Sequence, residues 1–97
     1  MPEILNDETV VLNVGGIFYT STKTTLCRSP LLKQLLVENS GELFIDRDPS
    51  SFFFILNYLR TGLIIQDPVD KHFVNFLINE AHIYGLDKMV EKLNDFL

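Results

Sequence analysis

The stretch FIDRDPSSFFFILNYLRTG, residues Phe44–Gly62, decides the fold of this chain. It joins a short apolar segment, three alternating charges and an unusually apolar helix. The charged residues Asp46, Arg47 and Asp48 directly precede the most apolar part of the sequence. Charged side chains are costly to bury unless they are paired. These residues therefore either begin a helix and face water, or they meet a partner chain.

The Asp48-Pro49 pair predicts the start of a helix, because Asp is a favoured N-cap and Pro is favoured at the first helical position. We expect this helix to end at Gly62, since glycine is the commonest residue just beyond a helix. Helical spacing gives it a stripe of buried side chains, namely Phe52, Ile55, Leu56 and Leu59.

Two further apolar residues of this helix, Phe54 and Tyr58, lie on roughly the opposite side from that stripe. A helix that is apolar on two sides is either central in the fold or in contact with something outside the domain. The apolar segment Phe44–Ile45 before the charges is expected to join the stripe in the core.

A β-hairpin is predicted upstream, because VVLNV (Val10–Val14) and IFYTS (Ile17–Ser21) flank Gly15-Gly16. Both turn positions of such a hairpin need a positive φ, which glycine adopts freely. A phosphate-binding glycine loop is the alternative. It does not fit, since no Lys-Ser/Thr pair follows and the next segment is a strand instead of a helix.

The remaining segments have clear helix signals. Ser21 or Thr22 is expected to cap a short helix, and Ser29-Pro30 repeats the cap-then-proline pattern for the next one. That second helix is expected to bury Leu31, Leu32, Leu35 and Leu36. Leu43–Asp46 reads as a short strand and Leu63–Ile65 as a brief extended piece. Two closing helices meet at Gly85, the first with an apolar repeat at Phe73, Phe76, Leu77, Ala81 and Tyr84.

These segments predict a small α+β domain, a sheet with a hairpin near the N-terminus flanked by about five helices. Residues 1–8 are expected to be a flexible tail and residues 9–97 one domain. With 97 residues, the chain can bury one modest core. Hydrophobic residues make up 46% of it, so some apolar surface can remain for a partner.

The charge pattern excludes several classes of partner. The net charge is -5, and the eight basic residues are scattered without a run or stripe. This distribution argues against nucleic acid and against an anionic membrane surface. The apolar runs are far too short to insert across a bilayer. The single cysteine, Cys27, rules out an intrachain disulfide and is compatible with a reducing cytosol or nucleus.

Neither a metal site nor a catalytic centre is predicted. His72 and His82 are ten residues apart and so lack the i, i+4 spacing that binds zinc on one helix face. Cys27 is expected to be a small buried apolar residue, and His82 to lie at the edge of the core. Asp46 and Asp48 can be read as paired catalytic carboxylates, but an arginine lies between them, and a carboxylate beside a cation and a helix start has its pKa lowered. That suits recognition better than proton transfer, so no enzyme activity and no cofactor is expected.

Five segments, in this order, resemble the potassium-channel tetramerisation domain, a branch of the BTB/POZ fold. The segments are VVLNVGGIFYTS, TTLCRSPLLKQLL, FIDRDPSSF, ILNYLRTG and EAHIYGLDKMVEKL. The resemblance runs from about Thr9 to Leu93. The sequences FIDRD and ILNYLRTG resemble the soluble tetramerisation-domain-containing proteins more closely than the channels.

The resemblance implies a non-enzymatic module that forms a head-to-tail homo-oligomeric ring of four or five subunits. It also implies a scaffold or adaptor role for a type-three cullin ubiquitin ligase, in the cytoplasm or also the nucleus. The alternative is the cytoplasmic assembly domain of a voltage-gated potassium channel. Some channel domains bind zinc between subunits through a histidine and several cysteines, and a chain with one cysteine lacks that site.

Ring interfaces in this family are largely polar, which gives the charged residues a role. Polar pairs across an interface set register and partner choice more than raw affinity. By this analogy the subunit contact is expected to include Thr20, Thr24, Asp46, Arg47, Asp48 and Arg60. Arg47 is the leading candidate, because a guanidinium can hold a carboxylate on the next subunit with two hydrogen bonds. Phe54 and Tyr58 are the candidates for a partner-binding apolar surface.

Overall fold

The structure is a computed structural model and describes residues 8–64 and 70–97. Within that part of the chain, three strands and five helices follow one another in an α+β arrangement, as the sequence predicts. In chain order they are β1 (Thr9–Val14), β2 (Ile17–Thr22), α1 (Lys23–Leu26), α2 (Pro30–Glu38), β3 (Leu43–Ile45), α3 (Pro49–Thr61), α4 (Lys71–Ile83) and α5 (Asp87–Asn94).

The three strands form one sheet in the order β2-β1-β3. β1 pairs with β2 antiparallel and with β3 parallel. The predicted hairpin is confirmed. Gly15 and Gly16 have φ angles of 56° and 101°, and the Gly16 amide donates to Asn13 Oδ1 at 2.8 Å. Positive φ at both turn residues matches the twist of the two strands, so the glycines close the hairpin without strain.

Side chains alternate between the two faces of the sheet, as pleated strands require. In β1 the inward-facing residues Val10, Leu12 and Val14 are buried. In β3 Leu43 and Ile45 are buried and Phe44 between them faces outward. The expectation that Phe44 belongs to the core is therefore wrong, because a strand of three residues can place only alternate side chains on the buried face.

The predicted helix starts are confirmed. Ser29 Oγ accepts from the Leu32 amide at 3.2 Å, and Pro30 opens α2. Thr22 caps α1 in the same way. Asp48 caps α3 with Pro49 as its first residue, and α3 ends at Gly62, whose φ of 76° is left-handed. Each cap satisfies an amide that the helix leaves without an internal partner.

The core lies between the inner face of the sheet and the helices. α3 contributes its predicted stripe in full, Phe52, Ile55, Leu56 and Leu59. In α2 Leu32 is buried and the other three leucines are half-buried. In α4 the buried set is Val74, Leu77, Glu80 and Ala81. Phe76 was expected in the buried apolar repeat of α4, but its side chain is 40% exposed. The inward face of α4 is turned by one residue and includes Val74 instead.

Three other expectations concern single residues or the ends of segments. Cys27 is exposed, and so the expectation of a buried cysteine is wrong. His82 is exposed on α4. The predicted tail of residues 1–8 lies outside the described residues except for Glu8, whose backbone oxygen accepts from the Lys23 amide at 2.8 Å. The extended piece expected at Leu63–Ile65 lies partly outside them. No helix among the described residues is long and apolar enough to cross a membrane.

Candidate interaction surfaces

The charged turn of residues 46–48 connects β3 to α3 and is held against the hairpin. The Gly15 amide donates to the Ile45 carbonyl at 2.9 Å. A Cβ atom added to Gly15 would lie 2.5 Å from the Arg47 carbonyl oxygen. The backbone of the turn therefore packs directly on the hairpin, at a position that admits no side chain.

Arg47 binds Glu80 of α4 within the same chain. Its Nε donates to Glu80 Oε1 at 3.3 Å, and its Nη2 pairs with Glu80 Oε2. Glu80 is 1% exposed, whereas the Arg47 side chain is 38% exposed. The Ser51 hydroxyl lies 3.5 Å from the same carboxylate. The hydrogen bond to Glu80 raises the pKa of the Arg47 guanidinium, so the arginine stays protonated at neutral pH.

This ion pair corrects one inference from the sequence. From the sequence, Arg47 was expected to meet either water or a carboxylate of another chain, whereas the structure pairs it with Glu80 of the same chain. A buried carboxylate needs a paired cation, and Arg47 supplies it from a turn 33 residues away. The placement of Arg47 in a subunit contact stays a prediction. It concerns only the exposed part of the guanidinium, which forms no hydrogen bond with Glu80.

Asp48 acts as the N-cap of α3. Its Oδ2 accepts from the Ser51 amide at 2.7 Å and from the Ser50 hydroxyl at 2.6 Å. These hydrogen bonds from Ser50 and Ser51 lower the pKa of the Asp48 carboxyl below its usual value. Asp46 differs: its side chain is exposed and forms no hydrogen bond or ion pair with any residue that the structure describes. Of the three charges in the turn, Asp46 is the one that forms no hydrogen bond or ion pair within the described part of the chain.

Two other predicted contact residues, Thr20 and Arg60, lie side by side. Arg60 Nη2 donates to the Thr20 carbonyl at 3.0 Å, which joins the end of α3 to the edge strand β2. Both residues are exposed, and Thr24 is exposed on the neighbouring helix α1. The carbonyl of an edge strand has no strand partner on that side, and Arg60 satisfies it here.

The candidate partner residues Phe54 and Tyr58 are half-buried. Phe54 is part of an aromatic row across α3 and α4, in which neighbouring ring centroids lie 5.3–6.5 Å apart. The row comprises Phe53, Phe54, Phe73 and Phe76, and its end members Phe53 and Phe76 are 45% and 40% exposed. One inner ring of this row, Phe54, was named from the sequence, and the row itself was not predicted. The exposure of Phe53 could have been expected from the sequence. It directly follows Phe52 of the buried stripe, and adjacent residues of a helix do not share a face.

Tyr58 lines an open pocket of about 460 Å³ between α3 and the α4–α5 connection. Arg28 and Lys88 contribute positive charge to its wall, and Leu86 contributes apolar surface. The Arg28 Nη1 atom donates to the Leu59 carbonyl at 2.6 Å. The pocket is therefore mixed in character, and the aromatic row is the more apolar of the two surfaces.

The described residues contain no group of three or more His, Cys, Asp and Glu side chains that could hold a metal ion. Cys27, His72 and His82, the metal-binding residue types considered from the sequence, are all exposed.

Comparison with known proteins gives a consistent family assignment. The profile of the BTB/POZ domain matches residues 10–93. SH3KBP1-binding protein 1 from Bos taurus is 39% identical over 95 residues, and the human BTB/POZ domain-containing protein KCTD3 is 38% identical over 95 residues. Human BTB/POZ domain-containing protein KCTD5 is 35% identical over 98 residues.

Each of these alignments covers 89% of this chain, but the chain spans only 13%, 11% and 41% of the three relatives respectively. The similarity therefore concerns one domain of longer proteins. It includes the hairpin, the charged turn and the closing helices on which the sequence-based prediction rested. The chain belongs to the BTB/POZ domain family, in its potassium-channel-tetramerisation branch, whose domains are protein-interaction modules that generally self-associate.

Proposed function

We propose that this domain assembles with copies of itself into a closed head-to-tail ring of four or five subunits. The match to the BTB/POZ domain over residues 10–93 carries the proposal, since this family is generally one of oligomerisation modules. In a head-to-tail contact two different surfaces of the chain meet, and the chain of contacts closes only if the rotation per subunit divides a full circle.

The exposed polar residues supply a contact of the kind this proposal needs. Asp46 forms no hydrogen bond or ion pair with a described residue, and Thr20 and Arg60 form a polar patch at the edge of β2. Thr24 adds a hydroxyl on α1. In the proposed contact Arg47 donates from its exposed side to the next subunit while Glu80 holds its other edge. Asp48 contributes indirectly, by fixing the start of α3.

Sedimentation velocity over a range of protein concentrations tests self-association. The proposal predicts one species several times heavier than the 11.2 kDa chain at micromolar concentration. A sedimentation coefficient that corresponds to the monomer throughout would reject the proposal. A ring of five subunits favours the soluble class within the branch, and a ring of four favours the channel class.

We further propose that the assembled domain binds a type-three cullin and acts as a ubiquitin ligase adaptor in the cytoplasm. The support is the similarity to the soluble members of the branch. The aromatic row offers an exposed apolar surface for this partner, with Phe53 and Phe76 as the most accessible rings. Aromatic side chains are among the residues that contribute most binding energy in protein interfaces.

Isothermal titration calorimetry with the N-terminal domain of the cullin tests this second step. Binding by the unmodified domain, weakened at least about tenfold in a Phe53→Thr/Phe76→Thr variant, would support the aromatic row as the contact. No heat of binding at tens of micromolar would remove this partner. It would leave self-association untouched, because that is measured separately.

A further inference from the structure

The outward face of the three-stranded sheet carries two exposed phenylalanine rings in one cross-strand row. The pairing register places Asn13 of β1 opposite Phe18 of β2 on one side and beside Phe44 of β3 on the other. Phe18 is 61% exposed and Phe44 is 64% exposed. In the next row Val11, 39% exposed, lies opposite Thr20. We call these five residues the outer sheet face.

This face is unusual for a sheet that has already filled its other side. The inner face holds Val10, Leu12 and Val14 in the core, so its apolar residues are accounted for by folding. Outward positions of such a sheet are normally polar. Phe18 and Phe44 together leave on the order of 250 Å² of aromatic surface in water. Phenylalanine is enriched at the centre of protein interfaces, so this aromatic surface favours a protein partner on this face.

We propose that the outer sheet face is the apolar centre of the contact with a second copy of this chain. This inference rests on the proposed self-association and adds to it the residues on which its affinity depends. The polar residues of the proposed contact border the patch: Thr20 belongs to it and bonds Arg60, and Asp46 directly follows β3. An apolar centre with a polar rim is the usual arrangement of a stable protein interface.

The exposed area of the outer sheet face agrees with an apolar centre that is surrounded by a polar rim. A specific interface buries roughly 800 Å² per partner, and the outer sheet face supplies about a third of that amount. The remaining area then falls to the polar rim. In a head-to-tail contact the face meets a different surface of the next copy, so every copy in a closed ring has its two phenylalanine rings covered.

The test is the double variant Phe18→Thr/Phe44→Thr, with Phe53→Thr/Phe76→Thr as the matched control. Each removes two partly exposed rings. Threonine keeps the strand preference of β2 and β3, so the fold should survive. Sedimentation equilibrium gives the apparent dissociation constant of the assembly. We expect it to rise by at least about tenfold for the sheet variant and to change less than threefold for the control.

Circular dichroism verifies that each variant is folded. If the sheet variant does not fold, Val11→Lys serves in its place, because it adds a charge to the same face without removing a ring. Unchanged assembly in the folded sheet variant, or an equal loss in the control, would overturn this inference and leave the proposed ring intact. A monomeric unmodified chain would overturn both.

Discussion

Arg47, in the turn before α3, and Glu80, buried in α4, form an ion pair between segments 33 residues apart in the chain. The guanidinium approaches the carboxylate through Nε and Nη2, and only the arginine keeps contact with water. The pair gives α4 a charged residue in its otherwise apolar buried face. It also fixes the turn that leaves Asp46 exposed.

Substitution of Arg47 should lower the free energy of unfolding more than substitution of Glu80. Arg47→Met leaves the Glu80 carboxylate buried without a cation, and we expect a loss of about 2–4 kcal/mol in the free energy of unfolding. Glu80→Gln keeps an oxygen that accepts from Arg47, and the arginine can turn to water, so the expected loss is about 1 kcal/mol. Urea unfolding followed by circular dichroism at one fixed protein concentration measures both.

The double variant Arg47→Met/Glu80→Gln is the control for that experiment. Removing both charges leaves no charge buried without a partner, so its loss should be smaller than the sum of the two single losses. Equal effects of the two single changes, or a double variant whose loss is their sum, would mean that the pair is not coupled as the structure indicates.

The Asp48 cap should make stability depend on acid. Its pKa in the folded chain lies below the usual value of 3.8. The cap therefore stabilises the fold above about pH 4, and this contribution is lost as the pH falls through the folded pKa. Asp48→Ala should lower the free energy of unfolding by about 1 kcal/mol at pH 7. The difference between variant and unmodified chain should shrink toward pH 2. A difference that stays constant with pH would contradict the cap.

Gly15 should tolerate substitution worse than Gly62, although both have left-handed backbones. Gly62→Ala meets open space and should cost about 1 kcal/mol from its φ of 76° alone. Gly15→Ala places a methyl group against the Arg47 carbonyl, so we expect at least about 1 kcal/mol more. Thermal unfolding of the two variants compares them directly. Equal melting temperatures would show that the hairpin does not press on the charged turn.

Asp46→Lys should weaken assembly without unfolding the domain. The side chain has no hydrogen bond or ion pair within the described chain, so its change removes nothing from the fold. In the proposed contact the substitution reverses a charge at the polar rim. We expect this reversal to raise the apparent dissociation constant of the assembly by about tenfold. Glu91→Lys, on exposed α5, makes the same change in net charge and is the control. The same weakening in both variants would point to net charge and not to the turn.

Asp46 is a cleaner probe of the contact than Arg47 because of the ion pair. Arg47 is the leading contact candidate from the sequence, but a charge reversal there is a less specific test. With Glu80 beside it, Arg47→Glu would bring two carboxylates together in a buried place and destabilise the fold itself. Loss of assembly in that variant would then have two causes that a measurement of mass cannot separate.

Local signals in the sequence predicted much of the fold. Gly15-Gly16, Ser29-Pro30 and Asp48-Pro49 each specify a turn or a helix start through the geometry of a few adjacent residues, and all three are confirmed. The α3 stripe was equally predictable, since helical spacing alone places four apolar residues on one side. The family could be assigned because these local signals occur in a specific order.

Contacts between distant segments were not predictable in the same way. Glu80 occurs in an amphipathic helix where one acidic residue looks no different from any exposed one, and only the packing of α4 shows that it is buried. Phe44 and Phe76 are apolar residues that the fold turns outward, because strand alternation and the rotation of a helix are decided by neighbours far along the chain. The exposed aromatic rings therefore became apparent only from the structure.

Native mass spectrometry of the purified chain at micromolar concentration tests the central claim most directly. A closed ring gives one discrete mass, four or five times that of the 11.2 kDa chain, and this mass stays the same when the protein is concentrated. A single monomer mass would contradict self-association. A ladder of masses that grows with concentration would contradict closure, because an open head-to-tail contact adds subunits without limit.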